Sequence, residues 1–433
     1  MRRTIPYTIS LVAIYLITCC QAIQAQNPNA LIGQLIGGDD MFELQKQHEL
    51  LKDSIIPMLD CMSEGMLAVA FNQPDKGIKA LEDLLSNEDY QAQLGIGTIA
   101  NFIYLYADTY ENKYDFKGAV KLLQSFLEQT KDVPLGQIKG ILQNKLKLNR
   151  SLAKADEFKI ERPNKDCEID FYLEKAGRGE SLIVNAKINN TLLPMIFDTG
   201  CPKYSLLSES TAKSLGLVKI ADSISMVGVG KGAAWIGTTD SLRIGEVTCH
   251  NPIFYVVPQI VRDSTLNDYA VLGADIFNVL GEVDFYPKKN KIIFPAQLSV
   301  LPKSGNNLMM KNRQPYLKLN LNAKSCLMHF DTGNVQTYLT HHYYERNKPS
   351  VEKLGISDSI RIGGFGGISI QKSYRLPLTK FELEGCEFNF NRVQVSTETA
   401  MHTWSEDGIF GTDFLQKFEK IVLSYKHMFI SVE

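Results

Sequence analysis

Three short blocks recur in this chain in the same order and at nearly constant spacing, so one folded unit has been used twice. Met195-Ile196-Phe197-Asp198-Thr199-Gly200 returns 133 residues later as Met328-His329-Phe330-Asp331-Thr332-Gly333. Asp222-Ser223-Ile224-Ser225-Met226-Val227-Gly228-Val229-Gly230 returns 136 residues later as Asp358-Ser359-Ile360-Arg361-Ile362-Gly363-Gly364-Phe365-Gly366. Val271-Leu272-Gly273-Ala274-Asp275-Ile276-Phe277 is matched by Ile409-Phe410-Gly411-Thr412-Asp413-Phe414-Leu415. A single Asp-Thr-Gly behind an apolar run is unremarkable, because a β-turn selects the same residue types. Two in one context mark a duplication, and each leads through a loop to a second apolar run, Ser205-Leu206-Leu207 and Thr337-Tyr338-Leu339.

The blocks lie in a region of short alternating or β-branched runs, broken by Gly, Pro and Asn every eight to twelve positions, which begins near Arg162-Pro163-Asn164. It reads as all-β from about 166 to the end, with strands expected around 181–187, 251–257, 316–321 and 388–395. A soft connector over 295–307 divides it into lobes at 166–298 and 299–433. Ahead of it, from about 29 to 152, apolar residues recur at helical spacing, as in Ile78, Leu81, Leu84 and Leu85 or Ala119, Leu122, Leu123 and Phe126. Residues 26–160 are therefore expected to form an all-α domain of helical hairpins. Asp75-Lys76-Gly77-Ile78-Lys79-Ala80-Leu81 and Phe116-Lys117-Gly118-Ala119-Val120-Lys121-Leu122 are alike, which suits a solenoid. The segment 104–127, with Tyr106, Tyr110, Asp115, Ala119 and Leu123, resembles a degenerate tetratricopeptide unit; an unrelated helical bundle fits the pattern equally.

Composition excludes several classes. Among 433 residues, 46 are basic and 48 acidic, so no global field draws a polyphosphate, and no nucleic-acid partner is expected. Arg2 and Arg3 ahead of the apolar run Ile5–Cys20 read as a signal peptide over residues 1–25. Cleavage after Ala25 gives a soluble exported protein; the lipobox-like Leu16-Ile17-Thr18-Cys19 gives instead a lipid anchor on Cys19, and both routes stand open. The expected location is periplasmic, secreted or membrane-anchored, in a bacterial setting. Export would allow the six later cysteines to pair, although small buried hydrophobes fit them as well.

The order of an Asp-Thr-Gly loop, a glycine-rich hairpin, then two apolar residues and a Gly entering a short helix resembles the aspartic proteases over about 170–433. Ile362-Gly363-Gly364-Phe365-Gly366-Gly367-Ile368 is similar to the flap tip of the retropepsin type, while two units on one chain resemble the pepsin-like lobes. The resemblance implies a bilobal acid-protease fold with pseudo-twofold symmetry, Asp198 and Asp331 as the catalytic pair, and a peptide or protein substrate. It gives Thr199 and Thr332 hydrogen bonds to the opposite loop, and Gly200 and Gly333 the tight turn. Leu272-Gly273 and Phe410-Gly411 would pack beneath the loops. Gly228, Gly230, Gly364, Phe365 and Gly366 would form flaps over an extended peptide. Cys201 and Asn334 depart from the small hydroxyl or alanine common there, and are expected to alter the hydrogen-bond support of a carboxylate.

The chemistry needs its acids in twos. Two full charges about 4 Å apart at an effective dielectric near 20 repel by about 4 kcal/mol, or roughly three pKa units. As established for this class of dyad, such a pair shares one proton over a broad pH range. The ionised member can take a proton from an attacking water while the protonated one donates to the carbonyl oxygen. This implies an exported aspartic endopeptidase without metal or cofactor. A peptide-binding module of the same fold that lost turnover is the alternative, with the helical front as a docking platform for a protein partner. An independent enzyme would survive removal of that front. Other signals are weak: Gly228-Val229-Gly230-Lys231-Gly232 lacks the ending of a phosphate loop, adjacent His341 and His342 read as a solvated strand end, and His329 as a packed side chain.

Overall fold

The structure, a computed structural model, describes residues 27–201, 203–227, 231–260, 269–365, 367–399 and 405–433. The expected signal peptide, Cys19, and flap residues Gly228, Gly230 and Gly366 lie outside the described residues. A helical region precedes a large β-rich region, as the periodicity of the sequence predicts. No helix among the described residues is long and apolar enough to cross a membrane.

Contacts divide the chain into two compact units. One comprises the described residues up to Ala68 together with Asp75–Gly95; the other comprises Val69–Pro74 and everything from Ile96 onward. The first unit is helical. Its helix Pro74–Ser86 buries Gly77, Ala80, Leu81 and Leu84, and a side chain at Gly65 would strike Leu81 at 2.7 Å, so these two segments need the glycine to pack.

Within the expected helical domain at 26–160, helices Ile96–Asn112, Phe116–Gln129 and Gln137–Leu152 fall in the contact unit that holds the β-sheets. The physical reason is shared burial. Phe116 and Leu152 join Tyr204, Ala221, Ile236 and Ile253 in one apolar cluster, with Tyr114 and Leu148 against it. A face packed in this way cannot be removed without exposing the core it covers.

The duplication in the sequence is a duplication in topology. The short strand Ala270–Leu272 runs parallel to Thr191–Phe197, with Phe197 opposite Leu272, and antiparallel to Ser205–Ser208. Gly408–Phe410 does the same between Lys324–Phe330 and Tyr338–Leu339, with Phe330 opposite Phe410. In both, the strand after the loop pairs in parallel with a further strand, Ile253–Val257 or Cys386–Ser396. Each Asp-Thr-Gly therefore turns over the end of a buried short strand. The lobes are joined by a sheet in which Cys167–Ala176, Lys291–Phe294 and Glu282–Tyr286 are extended by Ile421–Ser424 and Phe429–Val432 from the other end of the chain.

One local expectation fails, and one of two open readings is met. His341 and His342 open the helix His341–Leu354 instead of ending a strand; its apolar periodicity is poor, and Pro349 and a kink at Asn347 hide it in sequence. The six cysteines at 61, 167, 201, 249, 326 and 386 are all free, and burial pushes the Cys167, Cys249 and Cys326 thiols up.

The second lobe is centred on an aromatic cluster, in which Phe388 packs against Phe381, Phe390, Phe410, Phe414 and Phe418 at centroid distances of 5.1 to 6.2 Å. Phe388→Ala is expected to cost about 3–5 kcal/mol through the cavity it leaves, read as a lower denaturant midpoint.

Candidate active site

The two Asp-Thr-Gly loops meet and hold each other through reciprocal bonds. Thr199 Oγ1 donates to the Phe330 carbonyl at 2.8 Å and accepts from the Thr332 amide at 3.0 Å. Thr332 Oγ1 donates to the Phe197 carbonyl at 2.6 Å and accepts from the Thr199 amide at 3.1 Å. Both threonines are fully buried, so every donor and acceptor in this square is satisfied away from water.

The carboxylates stand above it. Asp198 Oδ1 accepts from the amides of Gly200 and Cys201 at 2.8 and 2.9 Å, and Asp331 Oδ1 accepts from those of Gly333 and Asn334 at 2.9 and 3.2 Å. These backbone bonds fix the plane of each carboxyl group. Each carboxylate also lies against the opposite glycine. A methyl group at Gly200 would come within 2.3 Å of Asp331 Cγ, and one at Gly333 within 2.3 Å of Asp198 Cγ. Glycine is required here for close approach.

Cys201 and Asn334 support the carboxylates with their backbone amides, which any residue supplies, so the expected disturbance from their side chains is absent. The side chains do other work: Cys201 Sγ donates to the Tyr204 carbonyl at 3.4 Å, and Asn334 Nδ2 to the Gln336 carbonyl at 2.6 Å.

Leu272, Gly273, Phe410 and Gly411 lie under the loops. The Asp198 amide donates to the Leu272 carbonyl at 3.1 Å and the Asp331 amide to the Phe410 carbonyl at 3.0 Å. A side chain at Gly273 would strike the backbone of Tyr204 at 2.9 Å, and one at Gly411 the Gln336 amide at 2.6 Å. His329 is buried and stacked on Tyr316 at 4.9 Å, and burial pushes its ring down to about 4, so it stays neutral.

Of the flap residues, Gly364 ends the strand Ile356–Gly364 and Phe365 follows it. Phe365 crosses to the first lobe, where it packs against the cluster of Ile183, Ile196, Leu206, Ala234, Val257 and Val271. A side chain at Gly232 of the first hairpin would meet the Phe365 ring at 2.7 Å. The two hairpins thus come together over the lobes at this pair.

Sequence reasoning missed a set of residues around the first loop. Gln314 Nε2 donates to the Gly200 carbonyl at 2.6 Å. The Glu111 carboxylate, fully buried, meets Lys203, Lys145 and Arg313 at 2.5, 3.0 and 2.9 Å. Burial alone would raise Glu111, but those three cations hold it well below the usual carboxylate range. Three cations share Glu111 and Asp108, and burial with the Arg313 charge brings Lys203 down to about 8. Lys203 and Arg313 lie 92 and 202 residues from Glu111, too far apart to leave a spacing to read. Asp275 and Asp413 stand at matching places in the third repeated block.

Residues 184–276 match the family model described as aspartyl protease. Among solved structures, the aspartic proteinase from Irpex lacteus matches at 13% identity over 61% of this chain and 96% of its own, with a TM-score of 0.39. A retropepsin-like aspartic protease from Rickettsia conorii matches at 19% identity over 32% of this chain and 94% of its own, with a TM-score of 0.21. Basic 7S globulin from soybean matches at 10% identity over 61% and 96%, with a TM-score of 0.39. No curated protein matches the chain. The assignment of the β-rich region to the aspartic protease fold rests on its duplicated loops and strand order together with the family match in its first lobe.

Thr332→Val should leave the Phe197 carbonyl and the Thr199 amide buried without partners, at about 1–3 kcal/mol for each. Thr332→Ser, which keeps the hydroxyl, should restore the denaturant midpoint. Burial pushes the Asp275 carboxyl up to about 8. The folded chain therefore holds a proton that the unfolded chain releases near its ordinary value of 3.8, and stability falls as pH rises between those values. Asp275→Asn should flatten that slope in denaturation midpoints measured across the window, with the variant gaining on the wild type until pH passes about 8.

Proposed function

We propose that this protein is an exported aspartic endopeptidase that hydrolyses extended peptides with Asp198 and Asp331. The observation that carries the reading is the reciprocal seating of the two carboxylates, each on the glycine of the opposite loop, above a closed square of threonine bonds. A binding cleft has no need of two like charges held face to face; acid-base catalysis on one water does.

The mechanism follows from that placement. The backbone amides on each Oδ1 hold both carboxyls in fixed planes. Mutual repulsion keeps one proton between the outer oxygens. The ionised carboxylate takes a proton from the water as it attacks the peptide carbonyl. The protonated one donates to the carbonyl oxygen, and the proton gained then goes to the departing amine. Neither aspartate owns a role permanently, since the pair titrates as a unit. The hairpin pair at Phe365 and Gly232 would close over an extended substrate and exclude water.

Export rests on Arg2, Arg3 and the apolar run up to Cys20, with soluble release or lipidation of Cys19 distinguished by the mass of the mature N-terminus. Asp198→Asn and Asp331→Asn should each abolish cleavage of a peptide library while leaving the unfolding midpoint of the protein near that of the wild type. Cleavage products are read by mass spectrometry across roughly pH 3 to 8. Full activity in either variant sinks the dyad. Tight peptide binding by the wild type with no products favours the non-catalytic module instead.

A further inference from the structure

The second lobe secures its own catalytic loop. Asp413, in the short helix beneath that loop, accepts from the Thr337 amide at 2.8 and 3.0 Å and from Thr337 Oγ1 at 2.7 Å. By the internal repeat, Asp275 and Ser205 occupy these places in the first lobe. There the bond is not made. Ser205 Oγ accepts from the Gly273 amide at 3.1 Å, as Thr337 Oγ1 does from the Gly411 amide at 3.4 Å, but Asp275 Oδ2 accepts instead from the Tyr114 hydroxyl at 3.1 Å. Tyr114 stands in the tight turn between helices Ile96–Asn112 and Phe116–Gln129, at a φ of 58°. Its ring is clamped on Phe158, with centroids 4.5 Å apart, so the hydroxyl is presented rigidly.

A second bond makes the same substitution. Lys203 follows the first loop, and its carbonyl accepts from the Asp275 amide at 3.2 Å; its ammonium is held by Glu111 of the helix Ile96–Asn112. Glu111 also takes Arg313 from the hairpin turn of the second lobe. The neighbour of Arg313, Gln314, donates to the Gly200 carbonyl. The matching turn of the first lobe carries Arg178, whose carbonyl accepts from Gln336 of the second loop at 3.0 Å. That arginine side chain is 66% exposed and lies 3.8 Å from Asp358. The helices therefore grip one of two equivalent turns and one of two equivalent loops.

We propose that residues 96–152 are a working part of the first lobe, with Tyr114 and Glu111 as positioning residues for the loop that carries Asp198. Tyr114 acts through Asp275, and Glu111 acts through Lys203 and, by way of Arg313 and Gln314, through Gly200. The catalytic half of this inference rests on the peptidase reading; the structural half stands without it.

The test uses the full chain, with hydrogen exchange followed separately in the segments 199–205 and 332–338, and peptide turnover measured alongside. Tyr114→Phe removes one oxygen and keeps the stacked ring. Loss of one such hydrogen bond should speed exchange in 199–205 by about tenfold and leave 332–338 unchanged. Glu111→Gln should act in the same direction. If the three cations then prevent folding, the double variant Glu111→Gln, Lys203→Met removes one of them and carries the comparison. Turnover should show kcat lowered several-fold with KM within about twofold, because loop position matters at the chemical step. Lys121→Ala, on the exposed side of the neighbouring helix, should change none of these. Unchanged exchange in Tyr114→Phe, or an equal rise in both segments, overturns the anchoring. Faster exchange with kcat intact overturns the catalytic role. A wild type that cleaves nothing refutes the peptidase reading alone, since the exchange pattern still decides the anchoring.

Discussion

Four neutral hydrogen bonds between the loops of Thr199 and Thr332 hold together what electrostatics would push apart. Two carboxylates facing one another repel, and nothing in their own chemistry keeps them close. The restraint comes from beneath, from hydroxyls that each donate to one strand end and accept from the other loop. Because the bonds are buried and uncharged, pH and salt do not loosen them, whereas ion pairs in the same place would respond to both. The bonds thereby keep the two carboxyl groups in place against that repulsion. The glycines complete the arrangement, since only a residue without a side chain lets a carboxylate settle on its neighbour's loop.

Much of this was legible in the sequence because the site is local and doubled. Asp198-Thr199-Gly200 and Asp331-Thr332-Gly333 announce themselves within three residues, and the repeat supplies the pairing. Leu272-Gly273 and Phe410-Gly411 were legible for the same reason. The helix His341–Leu354 was hidden, because a proline and a kink interrupt the periodicity on which helix recognition depends. The boundary of the helical region was hidden for another reason. Amphipathic spacing shows that a helix has an apolar face, but not which surface receives it. Phe116 and Leu152 were visibly apolar; that they would be buried with Ile236 and Ile253 of the first lobe was not encoded in any short-range pattern. The ion cluster around Glu111 is a more extreme case, since its members come from three distant stretches.

The lobes are alike in their strands and unlike in their support. Duplication yields two equal units, and their equality persists where geometry demands it, at the loops and the short strands beneath. It lapses at Asp275 and Asp413, which keep the same residue type and the same buried place but draw on different partners. Burial raises both carboxyls above their ordinary range. Asp413 is compensated from within its own lobe, and Asp275 by a tyrosine from the preceding helices. The first lobe thus takes from the preceding helices a bond that the second lobe makes within itself.

The joint sheet carries a consequence for the order of events in a cell. Residues 421–432 are added edge to edge to Glu282–Tyr286, so the sheet that begins with Cys167–Ala176 gains its outer strands only after both Asp-Thr-Gly loops have been made. Translation delivers the first Asp-Thr-Gly long before the second, and both before the strands that tie the lobes. A partly made chain therefore has neither a facing carboxylate nor a closed sheet.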